Sequence, residues 1–267
     1  MVSLLLAARI SPSRVGAVIN RNVGALRSGP SYWLVLLSGF FEPVLYLLSI
    51  GVGVGALVGD LTLPGGRVVE YAVFVAPAML AVSAMSGALS ETTFNFFFKM
   101  KYSKTFDAVL ATPVKPFEIA LGELAWAMVR SSVYTGAFLV VMVALGLTGP
   151  GWALAAFPAT MLVGLAFGAV GMAISTFMRG WQDFDLLTTG QFALFLFSGT
   201  FSPVQDYPAV VEVLVRLTPL YHAVELVRGL VIGELGWGLL GNAAYLLAMV
   251  AAGLTLAARR IHRTLCA

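Results

Sequence analysis

The chain has 267 residues, of which 59% are hydrophobic and 11% charged, and its net charge is +3. An ordinary soluble domain is about 45–50% apolar and about 25% charged, so this composition excludes a soluble enzyme, a disordered chain and a nucleic-acid binder. A single cysteine, Cys266, excludes an internal disulfide, and the class that remains is a polytopic helical membrane protein.

Residues 1–30 form the first predicted unit. The apolar run 2–8 precedes most of the positive charge, the reverse of a cleavable signal. Val15, Val18, Ile19 and Leu26 share one helical face and Arg14 and Arg21 fall elsewhere, which predicts an amphipathic helix on the membrane surface. Residues 31–267 form the second unit. Crossing the hydrocarbon takes roughly 20 apolar residues in helical form. Six stretches qualify: 32–58, 71–90, 119–147, 152–178, 186–204 and 237–258. A β-barrel needs alternating strands of about ten residues. These runs are continuous and rich in Leu, Ala and Gly, so the expected fold class is all-α with six transmembrane helices.

Basic residues set the orientation. Arg9, Arg14, Arg21, Arg27, Lys99, Lys101, Lys104, Lys115, Arg179, Arg259, Arg260 and Arg263 fall on one side, twelve in all, against Arg67, Arg216 and Arg228 on the other. Both termini are expected to be cytoplasmic.

Between the second and third stretches, 99–118 is the longest polar cytoplasmic segment. Thr105 is expected to cap a short helix over 106–110, with Asp107 near its positive end. Pro113 and Pro116 are expected to stop that helix before the third stretch. Phe106 and Leu110 are apolar groups in a polar loop, an arrangement that makes sense if a partner protein covers them. Between the fifth and sixth stretches, 205–236 is the main external region. Glu212 and Arg216 lie at i,i+4 in one predicted short helix, 208–218; Glu225 and Arg228 lie at i,i+3 in a second, 221–232. Neither is long enough to span, so both read as short helices dipping into the outer leaflet.

No lysine follows a glycine, so a phosphate-binding P-loop is impossible, and the chain is not expected to be an enzyme by itself. His222 and His262 are the only histidines, so no clustered metal site is expected. His222 is expected to serve as a local hydrogen-bonding residue. Ionisable residues within apolar spans are costly and are functional candidates by default. They are Glu42, Glu91, Glu123 and Arg130. Glu123 and Arg130 are two turns apart on one face, about 10 Å by helix rise, and structural pairing is the expected role.

Four segments together resemble the ABC-2 type permease family, the membrane subunits of bacterial ABC exporters of lipids, polysaccharides and drugs. They are the basic amphipathic N-terminus; the loop Lys104-Thr105-Phe106-Asp107-Ala108-Val109-Leu110-Ala111-Thr112-Pro113-Val114 with Ile119 and Gly122 after it; Phe197-Ser198-Gly199-Thr200-Phe201-Ser202-Pro203; and Thr218-Pro219-Leu220-Tyr221-His222-Ala223-Val224-Glu225-Leu226-Val227-Arg228-Gly229. The likeness covers essentially the whole chain and is nearest to nodulation-type lipo-oligosaccharide export permeases. Glu123 departs from it, since the family more often has a basic or polar residue there.

The resemblance implies a separate cytoplasmic ABC ATPase that holds ATP and Mg, and no cofactor on this chain. Coupling to the ATPase falls to Thr105, Phe106, Asp107, Leu110 and Pro113. A second permease copy or a related chain completes the transport path. Its candidate lining is Ser83, Ser86, Phe94 and Phe96 in the second span and Gln191, Phe195 and Ser198 in the fifth. His222, Glu225 and Arg228 mark the external re-entrant segment. The implied setting is the bacterial inner membrane, with membrane lipids around the chain and no nucleic-acid partner. The rival class is a secondary transporter or channel driven by an ion gradient.

Overall fold

The computed structural model describes residues 11–28, 41, 44–45, 47–62 and 67–265. The predicted stretch 32–58 lies largely outside these residues, and Glu42 and Cys266 lie outside them entirely.

Helix α1, Pro12–Ser28, is the predicted amphipathic helix. A π turn, Ser49–Val54, leads into the short α2, Gly55–Val58. The sequence reading missed the next element, a two-stranded antiparallel hairpin of β1, Asp60–Thr62, and β2, Val68–Glu70, with Leu61 opposite Val69. Then come α3, Tyr71–Ser90; α4, Phe96–Lys101; α5, Thr105–Leu110; α6, Pro116–Ala144; and α7, Pro150–Ser175. The chain finishes with α8, Gln182–Leu196; α9, Ala209–Leu217; α10, Pro219–Ile232; and α11, Trp237–Leu265.

Among the described residues, four helical stretches are long and apolar enough to cross a membrane: Tyr71–Lys101, Pro116–Ala144, Pro150–Ser175 and Trp237–Ile261. They answer to the predicted second, third, fourth and sixth stretches. The first of the four runs past Ser90 because α3 continues through a π turn, Glu91–Asn95, into α4. A π turn shifts the backbone register and leaves carbonyls wanting donors. Thr92 and Thr93 donate their hydroxyls to Ala88 O at 2.8 Å and Leu89 O at 2.6 Å.

The predicted fifth stretch, 186–204, is not one helix. Helix α8 begins earlier, at Gln182, and ends at Leu196, where Phe197 leaves helical geometry and Gly199 adopts φ 68°. That conformation favours glycine, because a side chain would clash with its own backbone.

Helix α7 sits at the centre and packs against α3, α6, α10 and α11. It carries no charge, and its small residues let neighbours approach closely. One core cluster joins α3, α6, α7 and α10, with Phe74, Met79, Phe138, Val163 and Val227 buried in it. A second lies at the end of the bundle that carries most of the lysines, built from Phe96, Phe97, Met100, Phe106, Ile119, Leu124 and Ile261. Helix α8 has no place in the close helix pairings among the described residues.

Candidate functional site

The lysine-rich end is organised around α5. Pro116 opens α6 at its first position, where the missing N–H costs nothing; it starts a helix there instead of merely ending the preceding one. The α5 cap also differs from expectation. Lys104 occupies the cap position with φ 45°, and the Thr105 hydroxyl pairs with Ser103 Oγ at 2.8 Å instead of capping the helix. Lys104 is the sole non-glycine residue with positive φ among the described residues. Strain of this kind concentrates at functional segments.

Phe106 corrects a second expectation. It is 1% exposed, with its ring centroid 4.9 Å from that of Phe96. Its side chain roots α5 in the bundle, a burial that contributes about 1.5–3 kcal/mol, and it is not available to a partner. Leu110 and Thr105 are half-buried, while Asp107, Ala108, Ala111, Thr112 and Pro113 form the outward face.

Both flanks of α5 are tied to α1 through α6. Glu123 is 3% exposed. Its carboxylate accepts from Lys99 Nζ at 2.6 Å, Arg21 Nη2 at 3.2 Å and Asn22 Nδ2 at 3.1 Å. Lys99 Nζ also donates to Asn22 Oδ1 at 3.0 Å. One turn earlier, Glu118 accepts from the backbone N–H of Ser11 at 3.0 Å and of Lys115 at 2.9 Å, and Arg14 lies 3.6 Å away. Arg14 and Arg21 therefore turn toward α6, against the expected amphipathic split. Gly122 makes this contact possible, since a Cβ there would lie 2.6 Å from Val18 Cβ. These partners are far apart in sequence, and only the acid beside a glycine in an apolar helix hinted at them.

Glu123 and Arg130 do not pair with each other. Arg130 binds Glu91, which also accepts from Asn95 Nδ2 at 2.7 Å, and Arg130 Nε donates to Tyr134 Oη at 3.1 Å. Glu91, Glu123 and Arg130 are thus each partnered, as the cost of burial in lipid demands.

The candidate path residues do not share one surface within a single chain. Phe94 is 45% exposed, whereas Phe96, two positions on, is fully buried against Phe106 and packs the core instead of lining a path. Ser198 is also buried, with its Oγ 2.7 Å from Thr200 Oγ. Phe195 packs its ring 5.1 Å from Phe201. Ser83 is buried, and its hydroxyl has no partner among the described residues; Ser86 and Gln191 are half-buried. Phe94 belongs to an aromatic cluster that sequence reasoning missed. Its ring lies 5.6 Å from Trp181 and 5.5 Å from Phe184, and Tyr102 lies 5.3 Å from Trp181. The cluster joins the end of α3–α4 to the start of α8. There Asp183 accepts from the backbone N–H groups of Arg179 and Gly180, which hold its carboxyl below the usual range.

At the opposite end, Thr218 caps α10 by accepting from Tyr221 N at 3.3 Å. The predicted pairs form: Glu212–Arg216 and Glu225–Arg228, each at 2.7 Å. They are not equivalent. Arg228 is buried, and its guanidinium also donates to Gly199 O at 2.8 Å and Phe74 O at 3.3 Å while stacking 3.9 Å over the Phe74 ring. It ties the turn after α8 to α3 and α10. Burial, with Glu225 close by, pushes the Tyr221 phenol up. His222 Nδ1 lies 2.8 Å from Asn242 Oδ1, and its ring stacks 4.0 Å from Tyr245, a local hydrogen-bonding role.

Residues 15–232 match the family model described as "ABC-2 type transporter". Over 200 residues, 74% of each chain, the protein is 36% identical to nodulation protein J of Rhizobium leguminosarum bv. trifolii. It is 32% identical, again over 74% of each chain, to nodulation protein J of Rhizobium meliloti, and 32% identical over 76% of each to that of Sinorhizobium fredii. The matched region runs from α1 to the end of α10, so it contains the α1–α6 contact, α5 and Arg228.

Proposed function

Because the chain belongs to the ABC-2 type transporter family, we propose that it is the membrane permease subunit of an ATP-driven exporter that moves a lipid, glycolipid or other amphipathic molecule outward across the inner membrane. A separate cytoplasmic ATPase binds and hydrolyses ATP. A second copy of the chain, or a related permease, completes the path. The first apolar stretch, 32–58, and α8 with the turn that follows it bring the spans to six, with both termini cytoplasmic and α9 and α10 as re-entrant helices in the outer leaflet. Closure of the ATPase subunits pushes on α5, and the permease pair responds by opening outward.

The observation that carries this proposal is the build of α5. Its outer face is small and flat, with Ala108 and Ala111 exposed beside Asp107, and its inner face is rooted by Phe106. Both flanks are clamped, since Lys99 before it bonds to Glu123 after it. A push on the outer face is therefore delivered to α3–α4, α6 and α1 together. The half-exposed rings of Phe94, Trp181 and Tyr102 give an amphipathic cargo an aromatic surface beside the same end.

The test is to replace Ala108 and Ala111 by Trp, which blocks the outer face and leaves Phe106 in place. Copurification of the ATPase with the permease is expected to fall at least tenfold, while the permease itself stays folded. Undiminished copurification and ATP-dependent export in that variant would show that α5 is not the docking element.

A further inference from the structure

Helix α8 stands off from the bundle along a cleft of about 720 Å³. One wall is Val170 and Ile174 of α7 with Phe177 in the turn just after it; the other is Leu187, Gly190 and Leu194 of α8. The spacing on both walls is that of one helical face, so two apolar stripes line the cleft, and Leu187 and Leu194 also reach the core clusters at its edges. Gly190 presents no side chain, and a Cβ there would meet nothing within 4 Å. From Asp183 to Leu194 the cleft is about 17 Å long by helix rise, close to the roughly 15 Å depth of one leaflet's hydrocarbon.

Charge is confined to one mouth. Arg179 lies there with its side chain exposed, and Arg260 stacks its guanidinium 3.9 Å over Phe177. Asp183 lines the same end, and its carboxylate is already occupied by the backbone N–H groups of Arg179 and Gly180, while Asp185 is exposed and outside the lining. Arg179 and Arg260 are therefore the groups that meet an anion there. A second apolar groove, about 500 Å³ between α6 and α7 around Gly136 and Phe157, has no charged residue in its lining.

We propose that the α7–α8 cleft is a binding site for an anionic phospholipid of the inner leaflet, with one acyl chain between the helices and the phosphate held by Arg179 and Arg260. Basic pockets between membrane helices on the cytoplasmic side recognise such headgroups, and Trp181 at the same mouth suits the interface. The lipid fills the space that keeps α8 off the bundle, so it sets the stance of the helix that the proposed path requires. The assignment of Arg179 to the inner leaflet rests on the orientation proposed above.

Native mass spectrometry of the full chain in mild detergent tests the site whatever the orientation, so its failure is separable from failure of that orientation. The probes are phosphatidylglycerol and phosphatidylcholine offered at equal concentration. The expected result is one retained phosphatidylglycerol per chain, preferred roughly tenfold, the scale of one or two arginine–headgroup contacts. Arg179→Gln with Arg260→Gln brings the preference to parity. Gly190→Phe removes the lipid, and Gly136→Phe in the uncharged groove leaves it bound. Leu187→Trp, read with circular dichroism, gives the same result should Gly190→Phe misfold. Equal retention of the two lipids by the parent chain, or full retention after both α8 substitutions, overturns the proposal.

Discussion

Glu123 shows how far one buried carboxylate can reach. It faces Lys99, Arg21 and Asn22 from a position 3% exposed, so its removal leaves two cations without their counter-charge. Breaking a buried pair costs about 3–5 kcal/mol. Lys99 and Arg21 keep 21% and 31% side-chain exposure, which lowers the expected loss for Glu123→Ala to about 2 kcal/mol. Glu123→Gln keeps an acceptor for Asn22 and should lose less. Thermal unfolding of the purified chain checks the order; equal melting of both variants and the parent would remove Glu123 from the clamp. Gly122 makes a second prediction, of sign. Alanine there must displace Val18, 2.6 Å away, and overpacking costs about 1–3 kcal/mol. Alanine at Gly24, in the same α1–α6 region but with open space around it, should instead stabilise by about 0.5–1 kcal/mol. Melting shifts of the same sign in Gly122→Ala and Gly24→Ala would contradict the close contact.

At the scale of elements, the two external ion pairs separate packing from solvation. Glu212–Arg216 lies on exposed α9, and such a pair contributes about 0–1 kcal/mol. Glu225 holds the charge of a buried arginine that also bonds to Gly199 O and Phe74 O, so Glu225→Ala should cost about 3 kcal/mol and impair transport. Arg228→Lys should fail as well, because one ammonium cannot reproduce the planar fork across three acceptors. Export and melting measured at matched expression test this, and silence of Glu225→Ala would refute it. The long apolar runs of α3, α6, α7 and α11 were legible in the sequence because a membrane helix must be continuous and predominantly apolar. The end of α8 was missed because Phe197 and Phe201 carried the apolar run onward, although Ser198-Gly199 and Ser202-Pro203 are turn signals and Gly199 takes the positive φ that makes the turn. The short helix within 99–118 was legible from its residues, but Phe106 was assigned to the wrong face, because a six-residue helix has no periodicity to orient it. The Glu123 clamp joins segments a hundred positions apart, and a single sequence carries no distances.

The whole molecule is one permease subunit in which a charge-clamped, lysine-rich end and an arginine-tied opposite end are joined, among the described residues, by four helices long and apolar enough to span the membrane. The ABC-2 type membership gives the class of machine, and in the coupling proposed above the clamp around α5 is where force would enter. The most direct measurement is site-specific cross-linking in native membranes. With Cys266 replaced by Ser, single cysteines are introduced at Ala108 on α5 and at Leu214 on α9, and a thiol cross-linker is applied with the ATPase co-expressed. The account predicts a permease–ATPase product from Ala108→Cys that changes in yield with ATP, and none from Leu214→Cys. A product from Leu214→Cys, or none from Ala108→Cys with the ATPase present, contradicts it.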